Sequence, residues 1–310
     1  MIFIRKTTFL SLVGLIFLTV SFAQVTVSFA QELDEQYNPN SIEPIAKYEH
    51  MFKKRVWMDV NLKEKQNKGF FAKNGEITQL IITAVESGEL SNIYTSDSLE
   101  NTMTKEEFFE KMVASDPVPV SLYDQDMDYY EGDEAEYDGV AYTAKEDIEY
   151  GIAPGTDPRW VVNKSAGQAD LFLARQISII RIMEDRIFDK RRSRLYYKTQ
   201  SIELIVPGTE NSRTGLEQPL GVFKYKDLVR LFRNHPKEAV WLNRYNSAEN
   251  KNFADAFLLR LFHGSLVKVE NPDDEFIVDN PSYETRKEGI MAAERIELEL
   301  MEKEHHLWEF

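Results

Sequence analysis

The sequence predicts an α+β fold, with a central β-hairpin and short strands packed with several amphipathic helices, and a long C-terminal helix. Two runs rich in β-branched and aromatic residues, 177–188 and 195–206, flank a short charged segment, which is the pattern of a hairpin. Elsewhere apolar residues recur at three- and four-residue spacings, as on the buried face of a helix. A chain of 310 residues with 43% hydrophobic residues is also long and apolar enough to bury a core.

The first 30 residues are predicted to be a secretory signal peptide. Basic Arg5 and Lys6 precede an apolar run at 9–22, and small residues allow cleavage after Ala23 or Ala30. The apolar run is shorter than the ~20 residues that span a bilayer, so we expect no membrane span. Residues 31–52 are polar, contain prolines and lack periodicity, and we expect them to form a projecting N-terminal arm.

Charge and cysteine content limit the possible partners. The chain has no cysteine, which excludes disulfides and lipid attachment to an N-terminal cysteine. Its formal net charge is −15, and loss of Arg5 and Lys6 with the signal peptide leaves −17. Such a charge disfavours binding to nucleic acid or anionic membranes; it suits cationic partners, and it also serves simple solubility.

Residues 53–310 are expected to form a single α+β region. An alternating strand at 53–62 precedes a helix at 77–87 that Gly88 would end. Thr104 and Glu107 form a capping box that opens a second helix, extending to about residue 113. After the hairpin we expect a helix at 224–233, a short strand at 240–242, a helix at 253–261, a strand at 265–269 and a long helix from about residue 283.

An acidic loop is predicted at 116–167, and its centre at 124–138 is the most acidic segment of the chain. Asp124, Asp126 and Asp128 have the opening spacing of a calcium loop, but Tyr129 and Ala135 occupy the positions that require Gly and a bidentate Glu. We therefore interpret the segment as a solvated, mobile and partner-facing loop rather than a metal site.

No pattern in the sequence indicates catalysis. Cysteine nucleophiles are impossible, and neither a G-x-S-x-G elbow, a phosphate-binding glycine loop nor an H-E-x-x-H pair occurs. Adjacent His305 and His306 point about 100° apart on a helix and are poorly placed to share a metal, even with Glu302 nearby. We expect no catalytic residue, cofactor or metal.

A basic cluster stands out against this acidic background. Lys190, Arg191, Arg192 and Arg194 occupy the predicted hairpin turn. They either protect the hairpin from edge pairing or dock on an acidic surface of another subunit. Trp57, otherwise a packing residue, and Trp308 complete the set of interface candidates.

Four separated segments resemble the gliding motility protein family GldN, also called PorN. They are KKRVWMDVNLKEKQN at 53–67, EDRIFDKRRS at 184–193, NFADAFLLRLFHGSLVKVEN at 252–271 and AAERIELELMEKEHHLWEF at 292–310. Together they span most of the chain in the family's order, whereas the acidic loop departs from it.

The resemblance implies a non-enzymatic periplasmic subunit of the type IX secretion system. Such proteins assemble with a GldK/PorK lipoprotein into rings beneath the outer membrane, which the GldM/PorM motor protein contacts from the inner membrane. An acidic periplasmic protein that binds cations or cell wall, and a hydrolase, remain the alternatives.

Overall fold

The computed structural model describes residues 37–115, 120–163 and 170–308, and the predicted signal peptide lies outside them. Within these residues the strands are β1 His50–Asn61, β2 Phe71–Ala72, β3 Gly75–Glu76, β4 Ile93–Tyr94, β5 Thr102–Met103, β6 Ser121–Leu122, β7 Glu134–Tyr137, β8 Val140–Ala144, β9 Trp160–Val162, β10 Ile179–Asp189, β11 Arg194–Val206, β12 Gln218–Lys224, β13 Val240–Trp241, β14 Lys251–Asn252 and β15 Ser265–Val269. The helices are α1 Ile77–Ser87, α2 Lys105–Lys111, α3 Tyr225–Asn234, α4 Phe253–Leu258 and α5 Arg286–Leu307.

The predicted hairpin lies at the centre of a seven-stranded sheet. The strand order is β15-β1-β10-β11-β12-β4-β5, and β10 and β11 pair antiparallel from Ile179–Ile205 to Asp189–Arg194. Neighbouring strands on both sides supply the cover that an isolated hairpin lacks. The predicted α+β fold is confirmed, including the long C-terminal helix.

One face of this sheet carries the main core. Ile180, Ile182, Ile202 and Leu204 alternate along the hairpin and are fully buried against the helices α1, α3 and α4. Burying one such side chain contributes about 1.5–3 kcal/mol, so this face holds most of the hydrophobic stabilisation. Opposite Met183 and Glu184, the ladder skips Gln200 of β11, which forms a β-bulge.

The predicted helix ends are also found. Gly88 adopts φ +79° and ends α1, where its backbone N–H donates to the Val85 carbonyl. At the start of α2, the Thr104 hydroxyl accepts from the Glu107 N–H, and the Glu107 carboxylate accepts from the Thr104 N–H. These local signals act within a few residues, so tertiary packing does not alter them.

The helix α5 packs on the edge of the sheet that β1 and β15 form. Ala292 and Leu300 lie in a second apolar cluster with Val56 and Met58. Gly289 permits this docking, because a Cβ there would lie 2.8 Å from the Val278 Cα. The helix therefore covers the sheet with one narrow face.

Residues 37–49 lie against the sheet and do not project as the expected arm does. Ile45 and Ala46 are buried, and the Asn38 Nδ2 donates to Gln200 at 2.8 Å and to Asp185 at 3.3 Å. The sequence pattern did not predict this packing, because the prolines prevent a regular helix or strand and therefore an apolar repeat. Single apolar residues in such an irregular segment can still be buried.

The part of the acidic loop that the structure describes is also ordered differently from expectation. Strands β6, β7, β8 and β9 form a separate small sheet, whose core contains Tyr129, Ala135, Ala144, Ile148 and Trp160. We call residues 120–163 the acidic module. Asp138 and Gly139 form its hairpin turn with φ values of +53° and +75°, as a two-residue turn of this kind requires.

Candidate interaction surfaces

The basic turn, residues 190–194, joins the two central strands at one end of the sheet. Two of its arginines are paired within the chain: Arg191 Nε lies 3.1 Å from the Glu49 carboxylate, and Arg192 bonds Asp189 and approaches Glu49 at 3.6 Å. Burial works against ionisation of Asp189, but Arg192 and two backbone N–H groups hold its pKa below the usual value. Half of the predicted positive cluster is therefore used to shape the turn.

The other two basic residues of the turn differ from Arg191 and Arg192 in their ion pairing. Lys190 and Arg194 are exposed, and neither forms an ion pair with a residue that the structure describes. The Lys190 backbone N–H donates to the Glu49 carbonyl at 2.9 Å, which holds the backbone of this residue while its side chain remains exposed. All four basic side chains of the turn are exposed, but within the described residues only the charges of Arg191 and Arg192 are already paired, so a partner surface can pair with Lys190 and Arg194 without breaking an internal contact.

Charged residues on the sheet face opposite the main core support the turn. Asp185 is fully buried and accepts from Arg55 Nε at 2.7 Å, with Lys53 Nζ at 3.1 Å. Burial raises the pKa of a carboxyl, but here the two cations hold the pKa of Asp185 below its usual value. The register explains the contact, because Arg55 lies directly opposite Asp185 on the neighbouring strand.

A second buried carboxylate lies on the core face. Glu184 is fully buried and is bonded by Arg186 Nε at 3.0 Å and by Arg260. The Arg260 guanidinium also lies 4.2 Å from the centre of the Tyr197 ring. The buried carboxylates near the turn are each paired with a cation, which offsets the cost of removing their charges from water.

The two tryptophans that the sequence analysis named as interface candidates, Trp57 and Trp308, occupy different environments. Trp57 is 7% exposed, and Lys268 Nζ lies 4.4 Å from its ring centre, so it is a packing residue in this structure. Trp308 follows the end of α5 and is 54% exposed; its ring centre lies 5.7 Å from that of buried Phe188, with the two rings nearly perpendicular. Only Trp308 presents a surface that a partner can contact.

The acidic module accounts for most of the chain's net negative charge. Residues 120–163 contain twelve Asp and Glu against one Lys and one Arg, a net charge of −10. Asp124 accepts from the Asp126 N–H at 3.0 Å, and Asp128 accepts from the Tyr150 N–H at 2.9 Å. These carboxylates stabilise turns, and no cluster able to hold a metal occurs among the described residues.

A cavity of about 270 Å³ lies between residues 37–49 and the sheet. Ile45 and Ile187 provide apolar walls, while Lys53, Asp185 and Gln200 lie at its polar side. Sequence reasoning missed it because its walls come from segments about 140 residues apart.

A comparison with protein families identifies a match to most of this chain. The model described as "Gliding motility associated protein GldN" matches residues 45–309, which include the central sheet, the acidic module and α5. Comparison with curated proteins finds no match.

Proposed function

The chain belongs to the family of gliding motility associated protein GldN, and from this premise we propose that it is a non-enzymatic structural subunit of a periplasmic ring. The ring would serve type IX secretion and gliding, and would join an outer-membrane lipoprotein of the GldK/PorK type to the periplasmic region of a GldM/PorM-type motor protein. The family match over residues 45–309 carries this proposal.

The location that we propose is the periplasm, in association with the outer membrane through the lipoprotein. The predicted signal peptide supports export, and the absence of cysteine means that a lipid anchor must come from a partner. Within the described residues, none of the helices has the length and apolar character needed to cross a bilayer.

The architecture is consistent with transmission of force. Long antiparallel strands run through the middle of the sheet, and the carboxylates near the turn have cationic partners. A subunit that joins two membranes through other proteins needs a rigid centre and exposed contact surfaces, because a deformable body would absorb motion. Lys190 and Arg194 offer one such surface at the end of the hairpin.

Co-purification with the lipoprotein tests the proposal. The lipoprotein is isolated from detergent-treated envelopes, and we expect the chain to be retained with it. Replacement of Lys190 and Arg194 by Glu should weaken retention if the turn docks on an acidic surface. Lys226→Glu with Lys237→Glu on and after α3 is the matched control, since both lysines are exposed and equally charged. If the chain is found only in the fraction that lacks the lipoprotein, the result would contradict the ring role.

A further inference from the structure

The outer surface of α5 carries an apolar stripe that remains largely exposed within the described residues. Met291, Leu298, Met301 and Trp308 are each more than half exposed, at 54%, 62%, 51% and 54%. Surface helices normally direct large apolar side chains to the core and polar ones to solvent. In α5, the side that faces the core is formed by a different set of residues, which includes Gly289, Ala292 and Leu300.

The stripe has the spacing of a helix-pairing seam. Met291, Glu294, Leu298, Met301, His305 and Trp308 follow one another at alternating intervals of three and four residues. This repeat keeps all six on one side of a helix, as in coiled coils. The seam spans 18 residues, or about 27 Å at 1.5 Å per residue.

We propose that α5 pairs with α5 of a second copy of this chain, in antiparallel orientation. About a twofold axis between residues 299 and 300, Leu298 of one copy lies opposite Met301 of the other, and Met291 lies opposite Trp308. Glu294 then lies opposite His305, which are complementary hydrogen-bonding groups. All six seam positions are matched by this single register.

The charges also select the antiparallel orientation. A parallel pair in register would place the Glu294 carboxylate against the same carboxylate of the other copy, and like charges in contact repel each other. Antiparallel pairing instead brings exposed Arg295 beside exposed Glu302 of the other copy, once on each side of the axis. Because the contact is isologous, both copies use the same surface and the contact is satisfied in a dimer. It therefore cannot by itself form a ring, and it leaves other surfaces available for one.

The pairing is expected to depend on concentration. One helical seam buries less than the ~800 Å² per partner of a standard stable interface. Four apolar side chains leaving water nevertheless provide a favourable contribution, at about 25 cal/mol for each Å² buried. The inference does not rest on the ring role, since it concerns two copies of the purified chain alone.

Disulfide crosslinking of residues 31–310 tests the register, because the chain has no cysteine of its own. When chains with Leu298→Cys and Met301→Cys are mixed and oxidised, we expect disulfides between the two different chains to form faster than within either protein alone. Leu258→Cys, at a site 68% exposed on α4, is the control for random collision. If the mixed disulfide forms no faster than the control disulfide, the proposal is overturned. If the disulfides between two identical variants, at 298 or at 301, form faster than the mixed one, the antiparallel orientation is overturned.

Sedimentation equilibrium measures the contact itself. Leu298→Glu should weaken self-association at least about tenfold, because it places charge in the seam, while folding is unaffected at so exposed a site. Glu294→His alone should also weaken it, and the exchange Glu294→His with His305→Glu should restore it. A chain that is monomeric at its highest attainable concentration, or an exchange that restores nothing, would contradict the pairing.

Discussion

The carboxylate of Glu203 lies 3.7 Å from the guanidinium of Arg181 on the sheet face opposite the main core. Arg181 gives its two shortest contacts, 2.7 and 2.9 Å, to Asp59 on its other side, so it only partly compensates Glu203. Burial raises the pKa of Glu203 to about 7; Arg181 lowers it, while Asp97 and Asp59 add to the rise. A carboxyl group in this sheet therefore titrates near neutral pH.

This relationship predicts that stability falls as the pH rises through the range from about 4.5 to 7. The folded protein binds the Glu203 proton more tightly than the unfolded chain, so raising the pH through this window favours unfolding. Glu203→Gln should remove the loss and raise the free energy of unfolding at pH 8 by about 1–3 kcal/mol, with little change at pH 4.5. Urea denaturation of the wild type and the variant at several pH values measures this free energy of unfolding.

Glu217→Gln is the matched control, because Glu217 lies 3.9 Å from the same Arg181 but is 46% exposed. We expect its pH profile to follow that of the wild type. If Glu203→Gln also keeps the wild-type profile, Glu203 does not titrate in this window.

Removal of the buried charge at Glu184 should destabilise the turn end of the hairpin. Glu184→Gln leaves Arg186 and Arg260 without a counter-ion in a largely buried site. We expect a loss of about 3 kcal/mol in the free energy of unfolding, as for other broken buried pairs. Glu210→Gln, which breaks the exposed pair with Lys63, should change it by less than about 1 kcal/mol. Equal effects of the two variants in urea denaturation would show that the burial of Glu184 confers no special role.

The docking of α5 should depend on Gly289. An alanine there would bring its Cβ to 2.8 Å from the Val278 Cα, and backbone cannot move aside as a flexible side chain can. We expect Gly289→Ala to cost about 1–3 kcal/mol and to raise hydrogen exchange along α5. Gly75→Ala is the control, since its Cβ would meet only a carbonyl oxygen at 4.0 Å. Unchanged exchange in α5 would mean that the helix tolerates a wider separation.

The acidic module should unfold separately from the central sheet when its turn is disturbed. Gly139→Val places a β-branched residue at φ +75°, which costs about 1–2 kcal/mol. We expect faster hydrogen exchange in residues 120–163 and unchanged exchange in the hairpin, because the two sheets have separate apolar cores. Asp138→Asn is the control, since Asn accepts the left-handed conformation of that position. A parallel loss of protection in both regions would show that they unfold as one unit.

Local patterns in the sequence were sufficient for the main elements. The hairpin, the capping box at Thr104, the end of α1 at Gly88 and the strand Ser265–Val269 all depend on residues close in the chain, and each is found as predicted. The Asp138–Gly139 turn was readable in the same way and would have indicated strands in the acidic segment. Net charge obscured it, because an acidic segment resembles a solvated loop when only its composition is considered.

By itself, the sequence determined the α+β class, the central hairpin, the positive charge of its turn and the resemblance to a motility family, since these follow from residues near one another in the chain. The tertiary structure alone decided which charges of the turn are paired: Glu49 and Asp189 pair with Arg191 and Arg192, while Lys190 and Arg194 form no ion pair within the described part of the chain. It also decided that Trp57 is buried and that α5 displays an apolar seam. The physical reason is that exposure and ion pairing depend on contacts between distant segments, which no local pattern records.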